Sequence, residues 1–130
     1  VGTGHLYQGR YKSFLIEGDN HLLSVIRYVE RNALRAKLVK KAENWNFCSL
    51  SRRLSKDDVK NKLLSQLPIL LPKNYLYFIN TPMNESEIET IRYSVNRGKP
   101  FGSDKWSDAM IGKYKLVATV RKRGRQIKGT

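Results

Sequence analysis

The chain has little cysteine, histidine, proline or acid: one cysteine, two histidines, four prolines and 11 acidic residues among 130, against 25 lysines and arginines. A single cysteine, Cys48, excludes an internal disulfide framework and a cysteine-rich zinc site. His5 and His21 lack the spacing of a helical metal pair. No apolar run reaches the roughly 20 residues of a membrane span, and no secretory pattern begins the sequence. We therefore expect a soluble, cytoplasmic protein without a membrane partner.

The scarcity of acids leaves a formal net charge of +14 and a pI near 10.1, which favours a polyanionic partner, above all nucleic acid. No acidic residue follows Asp108. The segment 119–130 is predicted to be a flexible basic arm that binds phosphates, with a solvated charged tail as the alternative. Its cations are Arg121, Lys122, Arg123, Arg125 and Lys128.

The N-terminal third of the sequence has two patterns: apolar and polar residues that alternate, and then apolar residues at helical spacing. Apolar and polar residues alternate from Leu6 to Ile16, which predicts a β-strand or hairpin arm. Gly18 to Asn20 predict a turn and an N-cap. The helix that follows is marked by apolar residues at helical spacing, and the same spacing predicts that it continues to Ala42. Its apolar positions are Leu22, Ile26, Val29, Ala33, Leu38 and Val39.

Further helices are predicted downstream. The stretch "NWNFCSLSRRL" is predicted to form a short helix that Trp45 and Phe47 anchor to the core. Spacing from Val59 to Leu67 indicates a helix, and "PILLPKNYLYFIN" is interpreted as a connector. Thr81 and Asn84 are candidate N-caps. A capping box of Asn84 and Glu87 predicts a helix from about Asn84 to Arg97, which Gly98 stops. Ser103 is predicted to cap a last helix that carries Trp106, Met110 and Tyr114.

The stretch "IRYVERNALRA" places Tyr28 and Asn32 four residues apart, and this spacing predicts one helical face that also holds Val25 and Arg35. A plain interpretation is a half-buried tyrosine beside a surface amide. A chemical interpretation needs a strong electrophile, because a phenol is protonated near neutral pH and is then a weak nucleophile. A phosphodiester polarised by a divalent cation is such an electrophile.

Several quoted stretches, taken in order, resemble the REP-associated tyrosine transposases, relatives of single-tyrosine HUH transposases. The stretch "GHLYQGRYKSFLIEGDNHLLSVIRYVERNALRAKLVKKAENWNFCSL" is similar to the second half of their catalytic domain. The stretches "LLSQLPILLPKNYLYFIN", "SEIETIRYSVNRGKPFGSD" and "TVRKRGRQ" are similar to their C-terminal region. The resemblance implies cleavage and strand transfer of single-stranded DNA at imperfect hairpins, with a 5′-phosphotyrosine intermediate.

The resemblance also assigns residues. Tyr28 matches the nucleophile, and Asn32 matches a polar position that can complete a metal site with two histidines. Mg²⁺ or Mn²⁺ is implied for the complete enzyme and no cofactor for this chain alone. Cations near the tyrosine are expected to hold backbone phosphates. This DNA-binding set is Arg10, Lys12, Arg27, Arg31 and Arg35, with the basic arm.

The chain departs from the family pattern in two ways. Ala33 stands where the family usually has proline, so the helix is expected to run on without a kink. No His-x-His pair occurs in the chain, and in the family that pair lies upstream. Together with the absence of an initiator methionine, this predicts a fragment that does not cleave DNA alone.

The resulting fold prediction is mainly α: one N-terminal strand or short hairpin left from a truncated ferredoxin-like α+β core, then helices and a basic tail. The predicted segments are 1–54, half of the catalytic domain; 55–118, a helical accessory region; and 119–130, the tail. The resemblance implies a homodimer associated with the bacterial nucleoid. Two alternatives stay open: a non-catalytic DNA-binding remnant of a decayed transposase gene, and a small ribosomal or RNA-binding protein.

Overall fold

A computed structural model describes residues 12–57, 59 and 62–122. These residues are mainly helical and contain no β-sheet, which confirms the predicted mainly α class. None of their helices is long and apolar enough to cross a lipid bilayer. The helices are α1 (Asn20–Glu30), α2 (Asn32–Arg35), α3 (Ser49–Leu54), α4 (Tyr75–Asn80), α5 (Glu85–Arg97) and α6 (Asp104–Lys113), with 3₁₀ turns at Ala42–Asn44 and Val117–Thr119.

The described residues divide into two compact units: residues 18–91 in one, and residues 12–17 with 92–122 in the other. The division falls inside α5. The predicted segment limits at residues 54 and 118 follow the sequence pattern and the charge distribution, and the roles assigned to those segments remain a prediction.

The helix after Asn20 is shorter than the sequence predicts. α1 ends at Glu30, and α2 ends at Arg35 instead of continuing to Ala42. α2 ends at Arg35 because Lys37, with a φ of 60°, has a left-handed conformation. Its amide donates to Leu34 O at 3.0 Å, and the Leu38 amide donates to Ala33 O at 3.0 Å, a Schellman ending that satisfies the last carbonyls. The predicted continuation to Ala42 is therefore wrong. Ala33 itself is helical within α2, and the interruption lies before it, at Arg31.

The unit of residues 18–91 has a small core of Ala42, Leu50 and Ile79, and the partly buried residues that pack against it are Leu34, Cys48, Tyr75 and Phe78. Ile79 and Phe78 belong to α4, which lies inside the stretch predicted to be a connector. That prediction is wrong because Pro68 and Pro72 only precede α4. Burial of its apolar residues, rather than a long helical repeat, stabilises this short helix.

Two further predictions in this unit are wrong. Residues 65–67 have no regular structure, so the helix predicted to reach Leu67 ends earlier, in keeping with the restriction that Pro68 places on the preceding residue. Phe47 is 79% exposed and does not anchor the core, whereas Trp45 is partly buried.

α5 begins as the sequence predicts. The Glu87 amide donates to Asn84 Oδ1 at 2.8 Å, and the Asn84 amide donates to Glu87 Oε2 at 3.3 Å, so the capping box is confirmed. Gly98 ends the helix with a φ of 74°, and its amide donates to Ser94 O at 2.8 Å. Glycine adopts this left-handed conformation without a steric cost.

In the other unit, an extended segment pairs with the turn before α6. Ile16 forms a single parallel bridge with Phe101, with Phe101 N donating to Leu15 O at 2.8 Å and Glu17 N donating to Phe101 O at 2.9 Å. Most of the strand predicted from Leu6 to Ile16 lies outside the described residues. The Ser103 hydroxyl accepts the Trp106 amide at 3.4 Å, which confirms the predicted cap.

Candidate nucleic-acid interface

Tyr28 and Asn32 lie one helical turn apart, on either side of the break between α1 and α2. The break is confined to Arg31, whose φ of −85° and ψ of 1° lie in the bridge region next to the helical one. The Arg31 amide still donates to Arg27 O at 3.0 Å, and the Arg35 amide to Arg31 O at 2.8 Å. Tyr28 is partly buried and Asn32 is exposed. The two residues therefore keep the turn-to-turn spacing that the sequence predicts.

Arg35 packs on Tyr28. Its guanidinium carbon lies 4.2 Å from the centroid of the Tyr28 ring, a cation–π contact. Its Nη2 also donates to the Tyr28 backbone oxygen at 3.0 Å. Arg35 Nη1 is buried and has no hydrogen-bond partner among the described residues. The contact fixes the phenol ring and holds a positive charge beside it.

Arg27 and Arg31 bind the end of α4. Arg31 Nη1 donates to Ile79 O at 2.8 Å, and Arg27 Nη2 donates to Thr81 O at 2.6 Å and to Pro82 O at 3.0 Å. The last carbonyls of a helix lack intrahelical donors and carry a partial negative charge, so guanidinium groups stabilise them. The Arg27 guanidinium also lies 4.7 Å from the Phe78 ring centroid. Both side chains therefore have a clear structural role.

These three arginines form a cluster of positive charge at steps of four residues. Burial lowers the pKa of Arg31, and repulsion from Arg27 and Arg35 lowers it further. An arginine nevertheless stays protonated at physiological pH. Each of the three donates to neutral backbone carbonyl groups: Arg27 to Thr81 O, Arg31 to Ile79 O and Arg35 to Tyr28 O. These hydrogen bonds leave the positive charge of the cluster in place to attract an anion, although Arg31 itself is only 9% exposed.

Glu30 precedes Arg31 and is a buried carboxylate for which the sequence predicted no role. It is 6% exposed, accepts the Leu50 amide at 2.9 Å through Oε2, and accepts the Ser49 hydroxyl through Oε1. A carboxylate at the first amides of a helix satisfies donors that have no intrahelical acceptor. Glu30 therefore joins the end of α1 to the start of α3. Its partners lie about 20 residues downstream, and helical periodicity does not signal such a contact.

The other predicted DNA-binding residues are more accessible where the structure describes them. Lys12, Arg121 and Lys122 are exposed. Arg97 supports the last of these segments by donating to Thr119 O at 3.3 Å, to Ala118 O at 3.5 Å and to Arg121 O. Four predicted residues lie outside the described residues: Arg10, Arg123, Arg125 and Lys128.

The side chains that could ligate a metal ion do not come together in the part of the chain that the structure describes. In residues 12–57, 59 and 62–122, no three His, Cys, Asp or Glu side chains come together as metal ligands. Asn32 supplies one amide oxygen, and Mg²⁺ normally takes six oxygen ligands, several of them water. The described residues alone do not make a metal centre.

Comparisons of the chain with protein-family models, with curated proteins and with solved structures found no match.

Proposed function

We propose that this chain is the tyrosine-bearing part of a single-strand DNA transposase similar to the REP-associated tyrosine transposases. The observation that carries the proposal is the Tyr28–Asn32 pair within an ordered series of stretches that resemble that family. The arginine cluster beside the pair supports it, because Arg35 stacks on the Tyr28 ring and places a positive charge next to the phenol. The proposed location is the nucleoid of a bacterial cytoplasm.

Electrostatics supports DNA as the partner. The net charge of +14 favours release of counterions from a phosphate backbone, and this release dominates nonspecific affinity for nucleic acid. Because Arg27 and Arg31 already bind carbonyl groups, the exposed cations Lys12, Arg121 and Lys122 are the better-placed phosphate contacts. We assign Arg35 the task of orienting the tyrosine and attracting the phosphate next to it.

The proposed reaction is transesterification. The Tyr28 oxygen bonds to the phosphorus of a DNA phosphodiester, the bond to the 3′-oxygen breaks, and the phenol proton passes to solvent or to the departing oxygen. The products are a 5′-phosphotyrosine and a free 3′-hydroxyl. In strand transfer a 3′-oxygen bonds to the phosphorus of the adduct, the bond to the Tyr28 oxygen breaks, and the hydroxyl proton passes to solvent or to the departing Tyr28 oxygen. The divalent metal belongs to the complete enzyme, in which two histidines of a His-x-His pair would hold it together with Asn32.

A second candidate is a protein that binds hairpin DNA without cutting it. The absence of His-x-His from this chain, and of a three-ligand cluster from its described residues, favours that candidate. The two candidates share the DNA-binding step and differ in whether Tyr28 becomes linked to DNA. The chain alone is expected to be inactive as a nuclease under both.

The shared step is tested by titrating the chain with a DNA hairpin that has a single-stranded flank, with the RNA hairpin of the same sequence, and with blunt duplex DNA. The titrations are done at about 0.15 M salt, where weak surface attraction is screened. The proposal predicts the lowest Kd for the flanked DNA hairpin. Preference for RNA would instead favour an RNA-binding protein, and the absence of binding to any of the three would overturn the proposal.

A further inference from the structure

Phe47 is an exposed aromatic residue in the connection between α2 and α3. It is 79% exposed, and the centroid of its ring lies 5.4 Å from that of Trp45, with the two rings at 72°. This is an edge-to-face pair, which holds both rings in a preferred arrangement. Trp45 is partly buried, and neighbouring Cys48 donates to Trp45 O at 3.0 Å. The contact with Trp45 therefore holds the exposed Phe47 ring in place.

A polar cavity of about 400 Å³ lies in the same stretch of chain and is lined by Glu43, Asn46, Ser51, Arg52, Leu54 and Ser55. The volume is within the range of small-ligand sites. Asn46 connects it to Phe47 along the chain. The Glu43 carboxylate is held through Oε2, which accepts Asn80 Nδ2 at 2.8 Å. The cavity thus offers an oriented acceptor, amide and hydroxyl groups, and one guanidinium.

We propose that the Phe47 ring and this cavity form a binding site for one unpaired nucleotide of single-stranded DNA. The base stacks on Phe47, the phosphate lies by Arg52, and Glu43 and Asn46 bond to polar atoms of the nucleotide. The choice of DNA as the ligand rests on the proposed function. The site itself is distinct from Tyr28 and would hold a flanking nucleotide while the tyrosine faces another phosphate.

The chemistry of the surface favours an unpaired base over an apolar protein segment. All the cavity-lining residues except Leu54 are polar or charged, and exposed Lys40 and Lys41 precede them. A phosphate-bearing strand complements that positive charge. Stacking on an aromatic ring needs one accessible base face, which double-stranded DNA does not offer because its bases stack on each other. A second copy of this chain, by contrast, would bring its own positive charge.

The test measures Kd for a single-stranded oligonucleotide with Phe47→Ala, Phe47→Leu and Phe47→Tyr. Stacking contributes about 1–3 kcal/mol per base, so loss of the ring should raise Kd by about 5- to 150-fold. Alanine and leucine should both show the increase, and tyrosine should retain binding because it keeps the ring. Tyr77→Ala, which removes a tyrosine that is 72% exposed in the same unit, is the matched control and should leave Kd unchanged.

The outcomes separate this site from the proposed function. If the parent binds and Phe47→Ala binds equally well, the nucleotide site is wrong and the proposed function stands. If the parent binds no single-stranded DNA, both are wrong. If Phe47→Leu binds the oligonucleotide as tightly as the parent protein does, the contact is apolar rather than stacking, and the inference is overturned. If Phe47→Ala converts a dimer to a monomer in sedimentation, the occupant is a second copy, which also overturns it.

A second measurement uses the fluorescence of Trp45, which contacts the Phe47 ring, to report on the same site. In a Trp106→Phe background, Trp45 is the only remaining tryptophan of the chain, so its fluorescence reports on this site. Saturation with the oligonucleotide should quench that emission, and Phe47→Leu should reduce the quenching at matched saturation. Binding without any change in Trp45 emission would place the DNA elsewhere.

Discussion

The arginines of α1 and α2 and the cations after α6 have the same charge and opposite surroundings. Arg31 is 9% exposed and bound to the end of α4, whereas Arg121 and Lys122 are exposed, and Arg121 accepts a hydrogen bond from Arg97 through its backbone oxygen. Sequence alone treats both groups as phosphate-binding residues. The difference teaches that a positive side chain of this chain holds the fold where it reaches a carbonyl group, and stays accessible to an anionic partner where its side chain is exposed.

The largest effect is expected for Arg31→Ala. The change removes a charged hydrogen bond and leaves the buried Ile79 carbonyl without that donor, so it should lower the free energy of unfolding by about 2–4 kcal/mol. Urea unfolding measures the loss. Arg92→Ala, at an exposed position of α5, should change stability by less than about 0.5 kcal/mol. Equal losses in the two variants would remove the distinction between structural and exposed arginines.

Glu30→Ala should have the next largest effect. It leaves the Leu50 amide and the Ser49 hydroxyl without their acceptor, which should cost about 1.5–3 kcal/mol. Ser49→Ala removes only one of the two bonds and should cost less. Glu89→Ala, an exposed glutamate on α5, is the matched control and should be close to neutral. Thermal unfolding of the three variants checks this order, and a neutral Glu30→Ala would contradict the contact.

Replacing Arg121 and Lys122 by alanine should change DNA binding rather than stability. Each cation that leaves a phosphate reduces the log–log salt slope for single strands by about 0.7, so two engaged cations should flatten it by about 1.4. Substitution is a cleaner test than truncation, because backbone oxygens of this segment accept from Arg97. Exchanging the two residues, Arg121→Lys with Lys122→Arg, keeps the charge and should keep the slope. An unchanged slope in the double-alanine protein would contradict the DNA contact.

The smallest effect is expected at high pH. Burial raises the pKa of Tyr75 to about 12, Glu30 adds to the rise, and Arg53 opposes it. Above pH 10 or so the unfolded chain loses the phenol proton first, so stability should fall as pH rises toward about 12. Tyr75→Phe should unfold at a similar temperature at neutral pH, because the buried hydroxyl has no partner among the described residues. Its melting temperature should then fall less steeply in alkali, and an identical fall would contradict the shift.

Local signals predicted the helix starts better than the helix ends and the buried contacts. Asn84, Glu87 and Ser103 act through residues three positions away, so their caps can be identified in the sequence. The ending at Lys37 could not be, because a left-handed lysine has no strong sequence signal. α4 was missed because its six residues are stabilised by packing rather than by an extended repeat.

The candidate site likewise combines local features that the sequence predicted with long-range contacts that it did not. The spacing of Tyr28 and Asn32 is local and was predicted, whereas the bonds from Arg27 and Arg31 reach about 50 residues along the chain. The exposure of Phe47 was also missed, since phenylalanine is among the residues most often buried.

The proposal that Tyr28 is the nucleophile has the most direct test. The chain is joined to a segment that supplies a His-x-His pair, incubated with labelled hairpin DNA and Mg²⁺ or Mn²⁺, and analysed on a denaturing gel. The parent should carry covalently attached DNA. Tyr28→Phe should bind the hairpin with nearly the same Kd and form no adduct, since it loses one hydroxyl and keeps the ring that Arg35 contacts. An adduct that persists in Tyr28→Phe would contradict the account and leave another tyrosine, such as Tyr93, as the nucleophile.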